Sequence, residues 1–196
     1  LQSPEPGDHI RRHGEDIRSG TLILTKGIKI RSYEVALLAA QGIDHVFVVK
    51  KPRVSILATG DELLEVTDRL APGKIRNSNG PTLAAALSRW GAIALDKGIV
   101  KDDPSLMRQA LEDSLASADV LLVTGGISVG DFDYTKTILE ELDLRLVFWK
   151  AAIKPGKPLL FGVCGDKLVF GLPGNPVSAI VCLEEFVRPA LEKLQG

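Results

Sequence analysis

From Arg53 onward, short apolar runs alternate with stretches of helical spacing, and this alternation restricts the fold more than any other feature of the chain. Strands separated by helices pair most readily in parallel, with the helices packed on the two faces of the sheet. Residues 54–58, 93–99, 120–123 and 144–149 read as strands, and the run at 120–123 is apolar on both faces, as a buried central strand requires. A hairpin turning at Cys164-Gly165-Asp166 completes the sheet. Pro81 is expected as the first residue of a helix carrying Leu83, Ala84 and Leu87 to a stop at Gly91, with Asn79 just before it. Asp103 is a cap for a helix begun by Pro104 and running through Met107, Leu111 and Leu115. Further helices are predicted over about 134–142 and from Pro176, the last kinked or shortened by Pro189. The expected class is therefore α/β, a mostly parallel sheet sandwiched by helices.

Residues 1–50 lack a hydrophobic repeat long enough for a core of their own and read as a small N-terminal appendage, with the main domain at 51–196. One short helix is expected there, capped by Ser32, ended by Gly42, and presenting Val35, Leu37, Leu38 and Ala39 as its apolar face. The abrupt opening at Leu1, followed by a Pro-Glu-Pro-Gly turn, reads as a chain cut from something larger. At 196 residues with 45% hydrophobic side chains, the chain can bury a core without disulfides or metals. Its formal net charge of −1 gives no bulk field for nucleic acid or acidic membranes, so any anion binding must be local. No membrane-length apolar run is present, and Cys164 and Cys182 have no metal-ligand spacing, which fits a reducing cytoplasm. His9, His13 and His45 all lie in the first quarter, away from the dense motifs, and give little support to a histidine-based site.

In open α/β sheets ligands bind beyond the carboxyl ends of the strands, and here the loops in those places are the unusual ones. Thr59-Gly60-Asp61-Glu62-Leu63 sets two acids after the first strand, where they can hold a hydrated divalent cation or simply favour a helix start. The loop after the buried strand runs from Thr124 through Gly125, Gly126, Ser128, Gly130 and Asp133, and its glycines would let backbone N–H groups approach an anion. It matches neither a dinucleotide fingerprint nor a Walker loop, which disfavours common nucleotide enzymes; its bland alternative is a long flexible turn. Lys150, Lys154 and Lys157 stand on a stretch stiffened by two prolines and could neutralise an oxyanion, although any one of them could be a solvated turn residue. The segment 171–178, with Pro173, Gly174, Asn175 and Pro176, is either a helix cap or one wall of a pocket whose amides face the other loops. Ile75-Arg76-Asn77-Ser78-Asn79 offers polar side chains to a heterocycle or to a helix cap. Asp102 is spare beside the cap Asp103 and is available to a metal or polar ligand.

Taken in order, TGDEL, IRNSN, GGISVGDFD, KAAIKPGKP and GLPGNPVS closely resemble the molybdopterin molybdenumtransferase family, of the MoeA and gephyrin E-domain type, along essentially the whole chain. The resemblance implies a MogA-like molybdopterin-binding fold, with residues 1–50 left from a preceding dimerisation or linker domain. It implies that magnesium and molybdate support insertion of molybdenum into adenylated molybdopterin, with release of AMP. By the same resemblance Glu62, Asp102 and Asp133 are the acidic, metal-holding positions, Asp16 is one supplied by the preceding segment, and Lys150 and Lys154 face the oxyanion. Thr59, Gly60, Asp61, Ser78, Asn79, Thr124, Gly125, Gly126, Ser128, Gly130, Lys157, Pro173, Gly174, Asn175 and Pro176 would line the cofactor pocket. A homodimer and a molybdopterin adenylyltransferase partner are implied, with no nucleic acid and no membrane. Two other readings are the adenylyltransferase itself, whose glycine loop differs where this chain has Ile127-Ser128, and a gephyrin-like scaffold that clusters receptor tails without turnover.

Overall fold

The computed structural model describes residues 3, 5–126 and 134–196, and the chain divides into two compact units, residues 1–48 and 49–195. Within the first unit the only helix among the described residues is α1 (Ser32–Ala40). Its start differs from expectation: Ser32 is the first helical residue rather than the cap. Arg31 stands at the cap, and Glu34 accepts from the Arg31 backbone N–H at 2.8 Å and from its guanidinium at 2.7 Å. These bonds hold the Glu34 carboxyl down at about 2, the side-chain bond to Arg31 contributing most. At the other end Gly42, in left-handed backbone, donates to Ala39 while Ile43 donates to Leu38, a paired closure that ends the helix as predicted. Only Leu38 of the expected apolar face is buried; Leu37 is half-buried, and Val35 and Ala39 are exposed, because a nine-residue helix has little to pack against.

The second unit is a three-layer α/β/α sandwich. Its strands are β1 (Arg53–Thr59), β4 (Ile93–Val100), β5 (Val120–Thr124), β6 (Arg145–Trp149), β7 (Leu160–Cys164) and β8 (Lys167–Leu172), with spatial order β4-β1-β5-β8-β7-β6. The first four in that order pair in parallel; β7 is antiparallel to β8, and β6 to β7, so β6 points the same way as β8. Alternate side chains feed two cores. Val54, Ile56, Val120, Leu122, Phe170 and Leu172 face α2 (Asn79–Arg89) and the C-terminal helix, whereas Leu57, Leu121, Val123 and Val169 face α3 (Pro104–Ser117) and α4 (Tyr134–Glu141). β1 and β5 are buried over nearly their whole length, which explains their unbroken apolar sequences.

Local chemistry fixes the element ends. Asp103 caps α3 as expected, accepting from the N–H groups of Ser105 and Leu106, and with the Ser105 hydroxyl these bonds hold its carboxyl below the usual range. The hairpin turns at Gly165-Asp166 as the sequence indicated. α2, however, starts at Asn79 rather than Pro81. The Asn77 side chain accepts from Gly80 N–H and does the capping, while Pro81 is tolerated because a first-turn N–H has no acceptor within the helix. β6 begins at Arg145, not residue 144, since Leu144 N–H closes the end of α4 on Leu139. The expected irregular loop before α2 contains a two-stranded parallel ribbon, β2 (Leu63–Leu64) with β3 (Ile75–Arg76), too short to show a period in sequence. The helix from Pro176 continues past Pro189 by changing pitch: α5 (Pro176–Cys182) passes through a π turn (Leu183–Val187) into α6 (Arg188–Leu194). The π turn puts Pro189 in a first-turn position of α6, where its missing N–H is harmless. Among the described residues no helix is long and apolar enough to cross a membrane.

Leu122 is fully buried in the middle of β5. Leu122→Ala should lower the stability of the second unit by about 2–5 kcal/mol, measured by guanidinium unfolding.

Candidate functional site

Because β4, β1, β5 and β8 are parallel, the loops that leave Val100, Thr59, Thr124 and Leu172 all emerge on one edge of the sheet. Ala58 pairs with Thr124, and Thr124 with Leu172, so three of those loops start side by side. The Thr59 carbonyl lies against the Cα of Gly125 at a separation that leaves no room for a Cβ, and Gly125 has φ of +83°. Only glycine fits there, which is the physical reason for the first glycine of this loop. At Gly60, with φ of +141°, the Glu62 carboxylate folds back so that an added Cβ would stand 2.5 Å from its Oε2. Glycine here allows an acid to sit directly over the end of β1.

Between these loops lies a cleft of about 280 Å³. Thr59 and Glu62 line it from the end of β1, Thr124 and Gly125 from the end of β5, residues 75–79 from β3 and the start of α2, and Gly174, Asn175 and Pro176 from the turn after β8. Asn79, itself buried, donates to the Gly174 carbonyl at 2.9 Å and ties two walls together. A larger hollow, about 580 Å³, lies between α3 and α4, but it is lined by helix side chains, including the Arg108–Glu141 ion pair, and by none of the strand-end loops.

The cleft gathers Thr59, Glu62, Ser78, Asn79, Thr124, Gly125, Gly174, Asn175 and Pro176, nine of the positions expected to line the site. Gly60 and Pro173 are buried in the same loops, Gly126 follows Gly125, and Asp61 is exposed beside Glu62. Asp61 accepts from the Asp102 backbone N–H at 3.3 Å, which joins the loops after β1 and β4, while the Asp102 carboxylate is exposed. Asp16 belongs to the first unit, where it pairs with Arg11 at 2.8 Å. Ser128, Gly130 and Asp133 lie outside the described residues. Among the described residues no three His, Cys, Asp or Glu side chains come together.

The segment 171–178 takes both of its expected roles: the Asn175 side chain accepts from Val177 and Ser178 N–H as the cap of α5, while Gly174, Asn175 and Pro176 line the cleft. Lys150, Lys154 and Lys157 do not line the cleft; they are exposed at the end of β6 and in the loop beyond it. β6 shares the direction of β8, so they stand on the same edge, two strands and roughly 10 Å from β8 at ordinary strand spacing. Lys74 is a residue the sequence motifs left out: its ammonium donates to the Asp61 carbonyl at 2.5 Å and braces the acidic turn. A basic residue immediately before the IRNSN segment was the available signal for Lys74.

The fold and site define an α/β domain that presents a cleft of loop residues at the carboxyl edge of its parallel strands. Residues 55–193 match the family described as the probable molybdopterin binding domain, and residues 1–42 match the MoeA N-terminal region, domains I and II. The chain belongs to the molybdopterin-binding domain family. It is 39% identical over 193 residues to a molybdopterin molybdenumtransferase of Haemophilus influenzae, covering 98% of this chain and 48% of that protein. Against the Bacillus subtilis protein of the same name it is 42% identical over 188 residues, covering 96% and 44%. A solved molybdopterin biosynthesis MoeA protein from Pyrococcus horikosii superposes with a TM-score of 0.83 at 35% identity, over 93% of this chain and 45% of that one. The chain thus spans about half the length of the curated relatives it matches.

Gly125→Ala should destabilise the second unit by more than about 1 kcal/mol, because the new methyl meets the Thr59 carbonyl in a strained backbone. Gly174→Ala, where an added Cβ has its nearest neighbour at 3.7 Å, should stay within about 0.5 kcal/mol. Thermal unfolding of the two variants side by side checks the difference.

Proposed function

We propose that this chain is the cofactor-holding part of a molybdopterin molybdenumtransferase, binding adenylated molybdopterin so that molybdate enters its dithiolene and the adenylate is hydrolysed to release AMP. The observation that carries this reading is the cleft itself, built from the strand-end loops that resemble the family and placed where open α/β sheets bind ligands. Buried Asn77 and Asn79, with Ser78 and Thr124, offer the hydrogen-bonding groups that a pterin ring requires. Residues 1–50 are read as part of a dimerisation or linker region and residues 51–196 as the molybdopterin-binding domain, acting in a cytoplasmic homodimer supplied by an adenylyltransferase.

The acids at this edge fit magnesium. Glu62 and Asp102 are oxygen donors on adjoining loops and Asp133 is proposed as a third, donor types that suit an ion taking one or two carboxylates and completing its shell with water and phosphate. When bound, the ion would offset the charge of the ligand phosphates. The chain's own groups divide the remaining work: the loops orient the pterin, and Lys150 and Lys154 hold molybdate, a dianion that the acids alone would repel.

Calorimetric titration with molybdopterin, with and without magnesium, tests the reading. Saturable binding strengthened by magnesium is expected. Glu62→Gln should remove the magnesium gain, and Asn79→Ala, which unties the turn at Gly174, should weaken binding about two- to tenfold. With adenylated molybdopterin and molybdate, Asp133→Asn and Lys154→Ala should abolish AMP release; full retained release in both, or ATP-dependent adenylation of molybdopterin by the parent, overturns the assignment.

A further inference from the structure

Lys150 has left-handed backbone, φ +82°, at the point where β6 leaves the sheet. Asp143, the other described residue of the second unit with such backbone outside glycine, is a type that tolerates it; lysine has no such local reason. The conformation is held by two bonds that extend the sheet beyond β6: Lys150 N–H donates to Leu159 at 2.8 Å and Ala151 N–H to Lys157 at 2.9 Å. Strain that is held in place in this way is a sign of a functional constraint.

The side chain shows what the constraint achieves. The Lys150 ammonium stands 5.1 Å from the centroid of the Trp149 indole, within reach of the ring's negative face. The ring packs on the α3/α4 core, and on the same ring, at 5.0 Å, lies the Lys136 ammonium, which pairs with Glu140 one turn along α4 at 3.0 Å. The indole Nε1–H is buried without a hydrogen-bond partner among the described residues. Lys150 itself has no carboxylate partner among the described residues and is exposed at the edge of the sheet.

We propose that Trp149 is a positioning residue for oxyanion binding: its ring holds the Lys150 ammonium at the carboxyl edge, ready for a tetrahedral dianion of the molybdate class. The proposal rests on the reading of Lys150 as the oxyanion-facing group, and its test uses sodium molybdate alone, without molybdopterin. Molybdate should bind the parent chain saturably, and Lys150→Gln should weaken it most. Trp149→Leu should weaken binding about two- to fivefold, whereas Trp149→Phe, which keeps a π face, should lose less than twofold. A residue that only fills space would let Leu and Phe behave alike. In the Lys150→Gln background Trp149→Leu should add nothing, because the indole acts through that ammonium.

Equal losses in the Leu and Phe variants, an undiminished Trp149→Leu effect in the Lys150→Gln background, or no saturable molybdate binding by the parent overturns the proposal. Should Trp149→Leu fail to fold, NMR of the parent decides: the Lys150 ε-methylene protons should be shifted upfield by the ring relative to those of Lys154, and coincident shifts overturn the proposal. Failure of this series with molybdopterin binding intact removes the role of Trp149 and leaves the proposed function standing. The converse result, molybdate binding without molybdopterin binding, removes the function alone.

Discussion

At the carboxyl end of the sheet the Thr59 carbonyl presses on the Cα of Gly125, and the rest of the site depends on that approach. It sets how closely β1 and β5 can release their loops, and through the pairing of Thr124 with Leu172 it sets where the turn after β8 begins. The two buried strands hold it in place, since each is anchored on both faces by side chains that leave no slack. Walls that start from paired, buried strand ends have less freedom to lose when a ligand binds, which lowers the ordering cost of binding.

Charge is distributed along the same edge in two groups. Glu62, Asp61 and Asp102 gather at the ends of β1 and β4, where Lys74 binds a carbonyl of the acidic turn rather than a carboxylate, so the acids are braced without being neutralised. The lysines stand at the other end of the edge, around β6, with Lys150 carried on the Trp149 ring. The separation keeps the two groups from pairing with each other and cancelling. An anionic ligand long enough to lie along the edge would meet carboxylates at one end and ammonium groups at the other.

Much of this was legible in the sequence because the signals were strong and local. The apolar runs gave the strands, Asp103-Pro104 gave a cap and helix start, and Cys164-Gly165-Asp166 gave the hairpin. The loops at the strand ends gave nearly the whole lining of the cleft. The misses share one cause, competition between local hydrogen-bonding options that sequence spacing does not rank. Arg31 and Glu34 displaced Ser32 as the cap of α1, and α2 starts two residues before Pro81, with Asn77 bonding its first turn. The place of the lysines depended on strand order, which puts β7 between β8 and β6 and could not be read from chain order.

A ligand seated in the cleft at the carboxyl edge would show in amide chemical-shift mapping of the chain during titration with molybdopterin. Shifts are expected to concentrate at Thr59, Glu62, Asn77, Asn79, Gly125 and Gly174, with the α3/α4 hollow around Arg108, Thr137 and Glu141 unmoved. Shifts centred on that hollow, with the strand-end loops silent, would contradict that placement.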